Sequence, residues 1–92
     1  MAVDIHFPGN GSLKDKRQSL RGLKDILIRR FGASVAEVGY HDLWQRSRLV
    51  ISLSSSSSSE LEQALGRMTA FIEGRDLRLS SLESEIIKVE GS

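Results

Sequence analysis

The fifteen residues from Ile51 to Leu65, ISLSSSSSSELEQAL, decide how the chain divides, because six consecutive serines run from Ser54 to Ser59. Read as a flexible linker, the run separates two folding units. That reading fails on size: 33 residues follow the run, one helix and one strand, too few to bury an apolar face alone. Read as a reactive cluster, the run needs a base within reach and an oxyanion site. Neither a Gly-x-Ser-x-Gly elbow nor a Ser-x-x-Lys surrounds it, and the two histidines, His6 and His41, lie far off in sequence. The third reading has a mechanism. Serine hydroxyls accept from the free amides that open a helix. Ser57 is followed three residues on by Glu60, and Ser59 by Glu62, so two capping registers compete, and both acids suit the helix dipole. The run is therefore the end of a strand, a loop and a helix cap.

Working outward, SRLVISLS before the run sets Leu49, Ile51 and Leu53 against Arg48, Val50 and Ser52, the alternation of a strand. After it, Leu61, Leu65, Met68 and Ile72 trace one helix face, which Gly74 closes. The tail LRLSSLESEIIKVE is β-like, with Leu82, Ser84 and Ile86 on one side and Glu85, Ile87 and Val89 on the other. At the other end of the chain, AVDIHF alternates Val3, Ile5 and Phe7 with Ala2, Asp4 and His6, a first strand that PGNG breaks. Ser12 then caps a helix from Leu13 to Phe31, with Asp15 three residues on. Its stripe is Leu13, Leu20, Leu23, Leu27 and Phe31, widened by Ile26 and Ile28, and Gly32 ends it. ASVAEVGY reads as a second strand and HDLWQR as the connection to the third.

The order β-α-β-β-α-β predicts an α+β fold, the ferredoxin-like split βαβ sandwich. Four antiparallel strands then carry both helices on one face, with residues 1–92 as a single domain. The first and third strands would turn Ala2, Asp4, His6, Arg48, Val50 and Ser52 outward, a face without the aromatic residues on which an RNA-recognition sheet stacks bases.

The composition, 39% hydrophobic and 27% charged, is that of a chain with one ordinary core. The absence of cysteine excludes disulfides, thiol catalysis and thiolate metal sites. Two histidines with scattered carboxylates make no metal site, and no cofactor is expected. No apolar run reaches the roughly eighteen residues of a membrane span, and MAVDIHF is not a signal peptide. A cytoplasmic location without a membrane partner follows as the expectation. The net charge of +1 conceals a division: residues 1–50 carry nine Lys/Arg against five Asp/Glu, and residues 51–92 carry four against seven.

That basic half holds the candidate site. Lys14, Lys16 and Arg17 occupy the first turns of the first helix, where the dipole disfavours cations. Lys14, Arg17, Arg21 and Lys24 recur at three- to four-residue spacing and form a basic ridge beside the apolar stripe. A solvated helix face is the plain alternative; cations gathered at a positive helix end point instead to an anion, and a ridge suits a polyanion such as RNA. In YHDLWQR, His41, Asp42 and Arg46 are candidates for an acid-base or phosphate cluster and Trp44 for stacking on a base. The plain alternative there is that Leu43 and Trp44 plug the end of the core while His41 and Asp42 cap the turn.

The segment from Asp4 to Ser52, with HFPG ending a strand, SLKDKR opening a helix, then SVAEVG and DLWQR, resembles the YlxP-like family of small bacterial proteins, catalogued as a domain of unknown function. The characteristic positions fall on Ser12, Leu13, Lys14, Lys16, Arg17, Asp42, Trp44, Gln45 and Arg46. The resemblance implies a ferredoxin-like fold. It also implies an association with ribosome maturation or translation, since the family's genes often lie among those for translation factors. No catalytic residues carry over with it. The chain departs from the family at the serine run, where relatives tend to have a Ser-Asn-Asp-like loop.

The expected function is a non-enzymatic module that binds rRNA or a ribosomal particle. Two alternatives stand beside it. One is a small phosphate-handling enzyme of acylphosphatase-like fold, using the Gly9–Gly11 turn with Arg17 or His6. The other is a homodimer that buries Arg48 and Val50.

Overall fold

Six elements follow the chain order read from the sequence, in a computed structural model that describes residues 1–75 and 77–89. In β1 (Ala2–His6) the alternation buries Val3 and Ile5, and Phe7 continues the interior beyond the strand. Ser12 is extended and accepts from the Asp15 N–H at 3.1 Å, which starts α1 (Leu13–Phe31). The Asp15 carboxylate accepts in return from the Gly11 N–H at 3.1 Å, one residue earlier than in a capping box. Leu20, Leu23 and Leu27 are buried, and Gly32 ends the helix at φ 67°, a left-handed conformation that favours glycine. Ile28, assigned to the stripe from its spacing, is instead 48% exposed on the helix flank.

β2 (Ser34–Gly39) and β3 (Arg46–Ser52) pair as an antiparallel hairpin, and β3 shows strict alternation, with Ser47, Leu49 and Ile51 buried. β4 (Arg78–Glu83) closes the sheet in the order β2-β3-β1-β4, every neighbour antiparallel. Both helices send their buried residues to one core: Leu20, Leu23 and Leu27 of α1 and Met68 and Ile72 of α2 (Ser58–Glu73) meet Val3, Ile5, Leu49 and Ile51. This is the α+β ferredoxin-like arrangement. Phe31 and Phe71 join the two helices at a ring separation of 6.0 Å.

Of the two capping registers in the serine run, the structure uses Ser57, whose hydroxyl accepts from the Glu60 N–H at 3.2 Å. Ser55 is tied to this cap: its hydroxyl accepts from the Ser57 N–H at 3.1 Å and donates to the Glu60 carboxylate at 3.4 Å. The tail departs further from its reading. Pairing stops at Glu83, residues 84–89 form no strand, and Glu90 lies outside the described residues. A bulge opposite Asp4 and Ile5 explains the spacing: it inserts Ser80, so that Leu79 and Leu82, three apart, stand opposite the buried Ile5 and Val3.

Candidate functional site

Lys16 was grouped with the surface cations by its charge. Its register contradicts that grouping: Lys16, Leu20, Leu23 and Leu27 follow one another on the core face of α1. The side chain is 2% exposed. Its Nζ lies 3.0 Å from Glu37 Oε2 and donates to the carbonyls of Tyr40 at 2.5 Å and His41 at 3.5 Å. Lys16 is therefore a strut between α1 and the β2–β3 loop and offers no surface to an anion. A buried ammonium persists only when paired and hydrogen-bonded, and here it is both.

Glu37 sits on the core side of β2, opposite buried Leu49, where an acid needs partners. Burial raises the Glu37 carboxyl, but the hydrogen bonds from Ser47 and Lys16 and the charges of Lys16 and His41 outweigh it, and the carboxyl ends below the usual range. Ser47 Oγ donates at 2.5 Å, and the His41 ring stands 3.9 Å from the other carboxylate oxygen. Lys16, Glu37 and Ser47 thus close one end of the core with a polar cluster whose members satisfy one another.

The remaining helix cations are on the surface. Arg17, Arg21 and Lys24 line a groove of about 370 Å³ whose apolar wall is Leu20 and Ile28, and whose acids are Asp25 and Glu37. Lys14 is exposed but lies off this groove. The ion pairs among the described residues are Lys16–Glu37, His41–Glu37 and Arg48–Asp4, so Lys14, Arg17, Arg21 and Lys24 have no ion-pair partner there.

The loop carrying His41, Trp44 and Arg46 is pinned through its backbone. Asn10 Nδ2 donates to the Trp44 carbonyl at 3.2 Å, Gln45 Nε2 to the Asn10 carbonyl at 3.0 Å, and the Phe7 N–H to the Gln45 carbonyl at 2.7 Å. The PGNG turn is the clasp that makes two of these bonds possible. Its acylphosphatase-like use finds no support: the Gly11 N–H is taken by Asp15, while Arg17 and His6 line different hollows. With the backbone held, the side chains point out. Trp44 is 53% exposed and Leu43 45%, so they do not plug the core. They line an open hollow of about 390 Å³ with His6, Asp42, Gln45 and Arg46.

Sequence reasoning missed Tyr40 and gave Arg48 no partner. A bulge between Glu37 and Gly39 shifts the end of β2, and Tyr40 follows it at φ 61°. The ring lies 5.1 Å from the Arg46 guanidinium and 5.2 Å from that of Arg48, which places an aromatic at the edge of a sheet face expected to have none. A Cβ at Gly39 would stand 3.2 Å from that of Arg48, so glycine leaves room for this packing. Arg48 holds Asp4 with two hydrogen bonds, at 2.6 and 3.0 Å. The Arg48 hydrogen bond keeps the Asp4 carboxyl below the usual range against the opposing effect of burial, and Asp4 raises the guanidinium in turn. The signal for the pair was the register: Asp4 and Arg48 stand opposite each other on the open face.

The structure divides the predicted residues between two separate hollows. Arg17, Arg21 and Lys24 line the α1 groove, while Trp44 and Arg46 line the loop hollow. His41 lines neither; its ring stands next to Glu37 and its carbonyl accepts from Lys16. Among the described residues no cluster of three or more His, Asp or Glu side chains is placed to hold a metal, and no helix is long and apolar enough to cross a membrane.

Comparison with known proteins places this geometry in a lineage. The sequence profile of a family described as "Protein of unknown function (DUF503)" matches residues 1–86. The "Uncharacterized protein YlxP" of Bacillus subtilis (strain 168) is 41% identical over 63 residues, which covers 68% of each chain.

Proposed function

The chain belongs to the DUF503 family of proteins of unknown function, and from that footing we propose that it is a non-enzymatic RNA-binding module of the cytoplasm, with rRNA or a ribosomal particle as its partner. The observation that carries this reading is a row of helix cations with no ion-pair partner among the described residues, in a chain that also holds a fixed loop with an outward tryptophan and arginine. Cations free of ion pairs collect phosphates even with Asp25 and Glu37 in the same groove, and an exposed aromatic offers a stacking surface for an unpaired base. Lys16 supports the reading from inside, since it fixes the loop against α1. The test is binding of a fluorescent single-stranded RNA, and of ribosomal subunits, at several salt concentrations. Charge reversal at Arg17 and Arg21 together should lower affinity at least about tenfold and flatten the salt dependence. Unchanged affinity in that variant rejects the reading.

A homodimer is the second reading, favoured by the distribution of charge on the open sheet face. Arg46 and Arg78 flank His6 at one end, while Glu83 lies beside Ala2 and Val50 at the other, over a hollow of about 460 Å³. Two copies stacked in opposite directions would match these ends. Sedimentation that gives a monomer at every concentration rejects it.

A further inference from the structure

We propose that the hollow beside Trp44 is a nucleobase site with a preference for guanine, so that the ligand of the RNA-binding reading, on which this rests, is an unpaired guanosine. Three observations converge. First, Trp44 and Leu43 are neighbouring large apolar side chains left half in water on a loop whose backbone is fixed by bonds to Phe7, Asn10 and Lys16. A loop that is ordered before binding loses little on ordering a ligand, and the hollow has the volume of a small-ligand site.

Second, the polar groups differ in sign. Arg46 lines the hollow without an ion-pair partner among the described residues, and the Tyr40 ring lies under its guanidinium. With His6 it forms the side that suits a phosphate. Asp42 is the acid in the same hollow, and it repels a phosphate. A ligand must therefore bring an anion to Arg46 and hydrogen-bond donors to Asp42.

Third, one base meets that condition best. A carboxylate offers acceptors only. The Watson–Crick edge of guanine presents two adjacent N–H donors, so both carboxylate oxygens are used at once. Adenine and cytosine present one amino group beside a ring acceptor, and uracil one N–H between two carbonyls, so each sets an acceptor against the carboxylate. Stacking on Trp44 is common to all four bases and gives affinity; Asp42 gives the choice among them.

Trp44 is the only tryptophan, so its fluorescence reports on this hollow directly. Titration with GMP, AMP, CMP and UMP should quench it saturably, with GMP binding about tenfold more tightly than the others. Asp42→Asn should remove that preference and keep the quenching. Trp44→Ala, followed by calorimetry, should weaken GMP binding at least about tenfold. Absence of saturable quenching by any nucleotide, equal affinity for all four, or a GMP preference that survives Asp42→Asn overturns the proposal. The two readings fail separately. RNA binding that depends on Arg17 and Arg21 without a GMP preference rejects the guanine site alone. A GMP preference without RNA binding upholds the site and rejects the RNA reading.

Discussion

Lys16 Nζ and Glu37 Oε2 stand 3.0 Å apart, with the lysine side chain 2% and the glutamate side chain 16% exposed. The pair joins the first turns of α1 to the edge strand of the sheet. Two loop carbonyls share the ammonium, so its loss leaves three acceptors to find water in a confined place. Lys16→Met should therefore destabilise the protein by about 2–3 kcal/mol, measured as a lower urea midpoint with an unchanged slope. Glu37→Gln should cost less, because its amide still accepts from Lys16 and Ser47. The double variant should cost less than the sum of the two; strict additivity would show that the contact is not energetic.

Acid should weaken the fold through two carboxylates. Asp4 and Glu37 both titrate below their ordinary values of 3.8 and 4.5 in the folded chain. A depressed folded value means that the unfolded state binds protons first as pH falls. Their stabilisation is thus fully present above the unfolded values and is lost as pH falls through the folded ones. Stability should be flat near neutrality, begin to fall near pH 4.5 and continue falling below 3.8. Asp4→Asn should be less stable at neutral pH and show a shallower acid decline; an identical decline would remove Asp4 from the account.

The serine run makes a positional prediction. Ser57→Ala removes the acceptor for the Glu60 N–H and should cost about 1 kcal/mol in thermal or urea unfolding. Ser59→Ala, already inside α2, should be nearly neutral because alanine is the better helix former. Equal costs would show that the cap slides between the two registers.

Two glycines should respond with opposite sign. Gly32 has φ 67°, which an alanine Cβ disfavours, so Gly32→Ala should lose about 1 kcal/mol. Gly66 lies within α2 with nothing within 4 Å of an added Cβ, so Gly66→Ala should gain ~0.5–1 kcal/mol.

The elements of the fold were legible because they rest on periodicity, which Val3, Ile5, Leu49 and Ile51 in the strands and Leu20, Leu23 and Leu27 in α1 display plainly. The site was less so. Lys16 carries a surface residue's charge at a core residue's position, and only the second was informative. Tyr40 depends on a bulge after Glu37, and an irregular residue leaves no period to read. Trp44 lies in a turn, where direction is set by bonds from Asn10 and Phe7, residues more than thirty positions away. The cap falls on Ser57 and not on Ser59, a choice between two like registers that a run of identical residues does not mark.

In many proteins a loop that gathers carbonyls and a carboxylate around one point does so about a dissolved cation, and such a loop comes apart when the ion is chelated or scarce. Here the cation is covalently part of the chain. Lys16 cannot be titrated away by a chelator, exchanged for a competing metal or depleted in starvation. It leaves its three oxygens only when α1 lifts from the sheet. The order of the loop is thereby insulated from the ionic supply of the cell and tied to the integrity of the whole fold.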